Sequence, residues 1–266
     1  MSDDLQIDLQ TERWRKVLCD GHLGKKYWNR AMRLLPGPPR CKGCNNPFGG
    51  VGGFFCRTIG LSPSKKNPRL CSLCCEKMPP GGAEVETAIL FADVRGSTEL
   101  AERLGPEKFA NTLNRFYNTA TEILIRRDAT VDKLIGDEVM AFFVPGFAGP
   151  DFRKVAIDSA ISLLRALGNG SKDGPWLPVG IGIDSGTAYV GNVGNEEFVD
   201  FTALGDPVNT AARIQAAAGP GQLLVSTRTL SGIAGDYSGA KPISLTVKGK
   251  KDTVEVYAIP ITQIPG

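Results

Sequence analysis

Residues 83–266 read as an α+β sandwich of the ferredoxin-like βαββαβ type, preceded by a small cysteine-rich, metal-binding domain over residues 1–82. Three observations carry that reading. All seven cysteines lie between Cys19 and Cys75. Residues 1–82 hold 14 Lys and Arg against 6 Asp and Glu, a charge of +8, whereas residues 83–266 hold 17 against 22, a charge of −5. From Glu86 onward, strand and helix signals alternate in the order β-α-β-β-α-β, which argues for that sandwich. Met78-Pro79-Pro80-Gly81-Gly82 falls at the change of composition and reads as a linker.

The 266 residues are 42% hydrophobic, enough for a sizeable core in one large or two smaller domains. No apolar run approaches the roughly 18 residues that span a bilayer. The start, Met1-Ser2-Asp3-Asp4, lacks the apolar stretch of a signal peptide, so the expectation is a cytoplasmic protein without a membrane span. Cysteines in such a chain point to metal or redox chemistry rather than a disulfide framework. A single histidine, His22, argues against a Ser-His-Asp hydrolase or a His-rich metal enzyme.

The cysteine-rich domain opens with Trp14, Val17, Leu18, Leu23, Tyr27, Trp28, Ala31 and Leu35, a spacing that predicts an amphipathic helical region. Cys19 and His22 fall within it, and His22 reads as a helix residue rather than a ligand. Cys41-x2-Cys44 and Cys71-x2-Cys74 stand 26 residues apart and resemble a four-cysteine zinc site. An iron–sulfur cluster is the alternative, because Cys56 and Cys75 leave further thiolates. So small a core needs a metal to fold independently. The positive residues are scattered from Arg13 to Lys77 rather than gathered in a stripe. Regulation of the second domain, or docking to a partner, is therefore expected over nucleic-acid binding.

In the second domain, Thr87 to Asp93 is an apolar run ending in a carboxylate. After Pro106, Phe109, Leu113, Phe116, Ala120 and Leu124 recur at helical spacing. Thr130 to Ile135 and Val139 to Val144 read as strands joined by a Gly136-Asp137 turn. Phe152, Ala156, Ala160, Leu163 and Leu167 mark a second helix stopped by Gly168. Val179 to Ile183 and Ala188 to Val193 read as another strand pair around Asp184-Ser185-Gly186.

Four segments carry chemistry. Asp93, in Phe91-Ala92-Asp93-Val94-Arg95-Gly96-Ser97-Thr98, ends a strand just before a helix start. It can hold a hard cation beside amides that receive phosphate, although an Asp there also simply caps a helix. Lys133 shares a strand face with Ile135, four residues before Asp137. In Gly205-Asp206-Pro207-Val208-Asn209-Thr210-Ala211-Ala212-Arg213, Asp206 reads as the N-cap and Pro207 as the first helical residue. Asn209 and Arg213 then stack at i and i+4, suited to a ribose and a phosphate. Lys248, in Val247-Lys248-Gly249-Lys250, lies in a basic turn.

Together these segments resemble the class III nucleotidyl cyclase catalytic domain from about Glu86 to Ala258, in the family's order and internal spacing. The resemblance implies two Mg²⁺ or Mn²⁺ ions per site at Asp93, Val94 and Asp137, with Gly96, Ser97, Thr98 and Lys248 meeting the phosphates. It implies that Asn209 orients the ribose and Arg213 stabilises the transition state. Lys133 and Thr202 become the base-selecting pair, supplied by the other protomer of a homodimer. Lysine only donates and a hydroxyl can accept, which matches N1 and the 6-amino group of adenine. Family members that use GTP typically carry Glu at the lysine position, so ATP is the expected substrate and cyclic AMP the product. Thr at the second position resembles a bacterial subclass, some members of which respond to bicarbonate. One departure stands out: many relatives carry an arginine just before that Thr, and Asn195-Glu196-Glu197-Phe198-Val199-Asp200 holds no basic residue. A catalytically silent ATP-binding sensor, and a zinc-finger nucleic-acid adaptor, are the competing expectations.

Overall fold

The computed structural model describes residues 2–20, 31–32, 34–41, 44–64, 70–74, 81–195, 197, 199–233, 237, 239–245 and 254–261. The chain forms two compact units. The larger comprises Glu86–Phe143, Asp151–Thr187 and Gly205–Gly266, and the smaller comprises Met1–Val85, Val144–Pro150 and Ala188–Leu204.

The strands of the sheet are β1 (Gly81–Val94), β2 (Thr130–Ile135), β3 (Glu138–Phe143), β4 (Val179–Gly194), β5 (Val199–Leu204), β6 (Leu223–Ser226), β7 (Lys241–Leu245) and β8 (Val254–Ala258). In the larger unit they line up as β2-β3-β1-β4-β6-β8-β7. Helices α3 (Ser97–Leu104), α4 (Pro106–Arg126) and α6 (Phe152–Ala166) follow the sequence periods. Pro106 opens α4, which buries Phe116, Ala120 and Leu124 at four-residue spacing. Helix α6 buries Phe152, Ala156, Ala160 and Leu163 and ends where Gly168 takes a φ of 96°. The two helices pack on each other and on β3.

The β2–β3 hairpin closes through Gly136-Asp137, with Ile135 opposite Glu138 and Gly136 at a φ of 60°. A bulge falls between Val131 and Lys133. Beyond it Lys133 and Ile135 do share a strand face. The pair expected around Asp184-Ser185-Gly186 does not form. Val179 to Gly194 is one continuous strand. Asp184 and Ser185 are buried and accept hydrogen bonds from the Arg228 and Thr229 side chains, 44 residues on, and a turn would expose them. Strand β4 runs parallel to β6 through Ile181, Gly182 and Ile183.

Helix α7 (Asp206–Ala217) lies on this part of the sheet. It begins one residue earlier than expected: Gly205, at a φ of 138°, is the N-cap and Asp206 is already helical. Ile214 joins Ala218, Leu224 and Val256 in a buried cluster. The approach is close because β4 is bare at Gly182, where a Cβ would stand 2.2 Å from the backbone nitrogen of Gln215.

In the smaller unit, Tyr189–Gly194 of β4 pairs antiparallel with Val199–Leu204 of β5. Gly191 and Gly82 nearly touch, since a Cβ on Gly191 would lie 2.3 Å from the Cα of Gly82. Thus Gly81 and Gly82 belong to β1 rather than to a linker, while residues 75–80 lie outside the described residues. Helix α1 (Ser2–Arg15) continues into a π-helical turn, Lys16–Asp20. That turn packs on α5 (Pro145–Ala148), and Trp14, 1% exposed, stacks on Phe201 with ring centroids 5.8 Å apart. His22, Leu23, Tyr27 and Trp28 lie outside the described residues. Helix α2 (Gly50–Thr58) buries Cys56.

The bare face of β4 generates a prediction. Gly182→Ala is expected to lower unfolding stability by about 1–3 kcal/mol, because backbone cannot yield as a flexible side chain can. Urea denaturation measures it, and an unchanged midpoint would show that α7 can move off the sheet freely.

Candidate active site and cysteine cluster

Antiparallel register brings three carboxylates together in the larger unit. Asp93, near the end of β1, is paired with Glu138 at the start of β3, and Asp137 is the turn residue just before it. The Val94 amide donates to the Asp137 carbonyl at 3.3 Å, and Tyr117 from α4 donates to the carbonyl of Gly136. Burial and the charge of Asp137 push the Asp93 carboxyl above its ordinary range, and Arg95 partly offsets both. Burial, Asp93 and Asp137 raise Glu138 in the same way. Mutual repulsion of this kind is relieved by a cation of high charge density, so Asp93 and Asp137 offer the hard oxygen donors that Mg²⁺ or Mn²⁺ prefers. Glu138 was not visible as a site residue in the sequence. Its signal was the two-residue turn, which places it next to Asp137 and opposite the strand that ends at Asp93.

Arg95 joins this group to α7. Its Nη1 lies 3.5 Å from Asp93 Oδ2, and its Nη2 donates to the Gln215 carbonyl at 2.7 Å. Gly180 makes room, because a Cβ there would stand 2.6 Å from Arg95 Nε. On α7, Asn209 is exposed and Arg213 half-buried, opposite the face that buries Ala211, Ile214 and Gln215. Gly96, in the left-handed conformation, is the N-cap of α3 and makes no side-chain cap, so the first-turn amides, Ser97 and Thr98 among them, have no capping side chain. Lys133 Nζ lies 3.2 Å from Oδ1 of Asp132, a buried carboxylate that the sequence reading passed over. Thr202 is buried on β5, in the smaller unit. Lys248 lies outside the described residues.

The cysteine cluster is a separate site in the smaller unit. Sγ atoms of Cys41, Cys44, Cys71 and Cys74, all buried, lie within 4.8 Å of one another. Cys44 and Cys71 stand 3.5 Å apart, close to the ~3.8 Å that Zn–S bonds of about 2.3 Å give in a tetrahedron. The first CxxC turn is tied by the Asn45 amide to the Cys41 carbonyl at 2.9 Å, and Arg40 donates to the carbonyls of Met32, Leu35 and Asn45. Hydrogen bonds from the other three thiols hold Cys71 well below the ordinary thiol range, and the same contacts push Cys44 up. Four thiols so placed cannot all ionise without a cation, so the donor set and its size fit one metal ion. Cys56 is buried outside this group, against Met32; Cys19 is half-buried elsewhere, and Cys75 lies outside the described residues.

Comparison with known proteins gives a consistent result. The adenylate and guanylate cyclase catalytic domain family matches residues 83–260. The crystal structure of the adenylyl cyclase CyaB from P. aeruginosa superposes with a TM-score of 0.58 at 29% identity, covering 66% of this chain and 94% of that one. The guanylyl cyclase Cya2 gives 0.61 at 29% identity, covering 67% and 93%. An uncharacterized protein of Mycobacterium bovis is 28% identical over 213 residues, which is 78% of this chain and 35% of the relative. The chain thus spans about a third of the length of the curated relatives it matches. Among the described residues, no helix is long and apolar enough to cross a membrane.

The cysteine geometry predicts about one metal ion per chain by elemental analysis. Cys44→Ser or Cys71→Ser should lose it and destabilise the smaller unit, whereas Cys56→Ser should keep it. A metal-free, fully folded protein would remove the ligand assignment.

Proposed function

The chain belongs to the adenylate and guanylate cyclase catalytic domain family, and we propose that it converts ATP to 3′,5′-cyclic AMP and pyrophosphate at the interface of a homodimer. The observation that carries this reading is the crowding of Asp93, Asp137 and Glu138 at one end of the β1–β3 pair, tied through Arg95 to the helix that bears Asn209 and Arg213. Two Mg²⁺ or Mn²⁺ ions, held by Asp93, Val94 and Asp137, would lower the pKa of the ribose 3′-hydroxyl and neutralise the triphosphate.

The chain's own groups then have distinct tasks. The 3′-oxygen attacks the α-phosphorus in line, pyrophosphate leaves, and the hydroxyl proton passes to solvent. Asn209 holds the ribose so that this attack is aligned. Arg213 meets the charge that gathers on the phosphoryl oxygens, a contact stronger in the transition state than in bound ATP. The amides of Gly96 to Thr98, with Lys248, receive the phosphates.

Adenine is the preferred base because Lys133, steadied by the buried Asp132, donates to N1 while Thr202 accepts from the 6-amino group. Both half-sets lie on one chain, so a two-fold dimer builds two equivalent sites. Residues 1–82 form a regulatory domain whose cysteines hold zinc, with an iron–sulfur cluster as the alternative. Cysteines without disulfides among the described residues, and ATP as substrate, fit the cytoplasm. The absence of a basic residue at 195–200 favours a second reading, an ATP-binding domain with little or no turnover.

Incubating the pure protein with ATP and Mn²⁺ or Mg²⁺ tests the proposal, and an absence of cyclic AMP from a folded dimer would favour the silent reading. Asp93→Ala or Asp137→Ala is expected to abolish turnover with fold and dimer retained. With Asn209 and Arg213 supplied, like Lys133 and Thr202, by the protomer opposite Asp93 and Asp137, mixing Asp93→Ala with Arg213→Ala chains should restore activity, since one of the two sites of the heterodimer is then undamaged. Heterodimers that stay inactive would exclude the shared arrangement.

A further inference from the structure

A buried polar network that the proposed reaction does not use meets the first turn of α7. Asp184, in the middle of β4, is 0% exposed. Its carboxylate accepts from Arg228 Nε at 2.6 Å, from Arg228 Nη2, and from Ser226 Oγ at 2.6 Å. Ser226 also caps α8 (Thr227–Leu230), accepting from the Thr229 amide at 3.3 Å, and Thr229 Oγ1 donates to Ser185 Oγ at 3.0 Å. A carboxylate this deep is tolerated only with charged donors around it, and the planar guanidinium fork is fixed in return. Nη2 of the same arginine donates to Asp206 Oδ2 at 3.1 Å.

Asp206 is the first residue of α7, and the N-cap Gly205 provides no side-chain cap. At 3.6 residues per turn, Asn209 and Arg213, three and seven residues on, share the helix face of Asp206. A grip on Asp206 therefore fixes both the rotation and the axial position of that face. Arg95 holds the other end of the helix at the Gln215 carbonyl.

We propose that Arg228 is a positioning residue for the cyclase reaction: anchored by Asp184, it holds Asp206 and so sets the placement of Asn209 and Arg213. This rests on the cyclase reading above. Nothing in Ser226-Thr227-Arg228-Thr229-Leu230 marks the arginine in the sequence; only its two carboxylate partners do.

Asp206→Ala removes the link while the buried Asp184–Arg228 pair stays intact, the Asp206 side chain being 54% exposed. In the full chain with ATP, kcat is expected to fall at least about tenfold and KM to change less than about threefold, since misplacement by ~1 Å can cost on the order of a hundredfold. Arg228→Lys should do the same, because an ammonium cannot hold two carboxylates in the fork geometry. The double variant should be no slower than the slower single, the mark of one shared interaction. Backbone hydrogen exchange of residues 206–217 should accelerate in both singles. Wild-type kcat in Asp206→Ala, or losses that simply add in the double variant, overturns the proposal. If the unaltered chain forms no cyclic nucleotide, the functional reading fails instead. The exchange of α7 then decides alone, and unchanged exchange in both variants overturns the anchor.

Discussion

Like charges crowded at one end of a sheet set the terms for the larger unit. Strand register alone brings Asp93 opposite Glu138 and beside Asp137, and all three would be ionised in water. Among the described residues the charge that offsets them at Asp93 is Arg95, whose seat exists because Gly180 lacks a side chain. The same arginine reaches the C-terminal part of α7, so the charge balance at the carboxylates and the placement of Asn209 and Arg213 depend on each other.

Glycine at Gly180 and Gly182 gives β4 a bare stretch against which α7 lies nearly backbone to backbone. Such contact leaves little play for the helix, whose opposite face carries Asn209 and Arg213. Asp184 follows on the same strand, and its buried carboxylate recruits Arg228, which holds the helix at its first residue. Thus three alternate positions of one strand, 180, 182 and 184, control α7 from its end to its start.

The smaller unit is stabilised differently. Trp14 and Leu18 are fully buried, Trp14 stacked on Phe201. Around the cluster the links are short: main-chain bonds across the first CxxC turn and the Arg40 fork on three carbonyls. The four buried thiols within 4.8 Å of one another could hold a metal ion, whose binding would add to the stability of this unit.

The apolar periods of α4 and α6, the Gly136-Asp137 hairpin and the four spaced cysteines were legible in the sequence, because each rests on local geometry repeated over a few residues. Asp93, Asp137, Asn209 and Arg213 were singled out on the same local basis, since they lie in short segments of fixed spacing. Asp184-Ser185-Gly186 misled, since turn-forming residues are also polar residues able to sit buried in a strand when distant donors satisfy them. The helix start at Asp206 shifted for a related reason: the carboxylate that looked like a cap has its partner in Arg228. Glu138 and Asp132 neighbour Asp137 and Lys133 in the sequence, and the fold supplied their register and burial, whereas Arg95 and Arg228 emerged only from the tertiary structure. Their roles are set by register and by partners up to 120 residues away, and no local pattern encodes which charges burial will bring together.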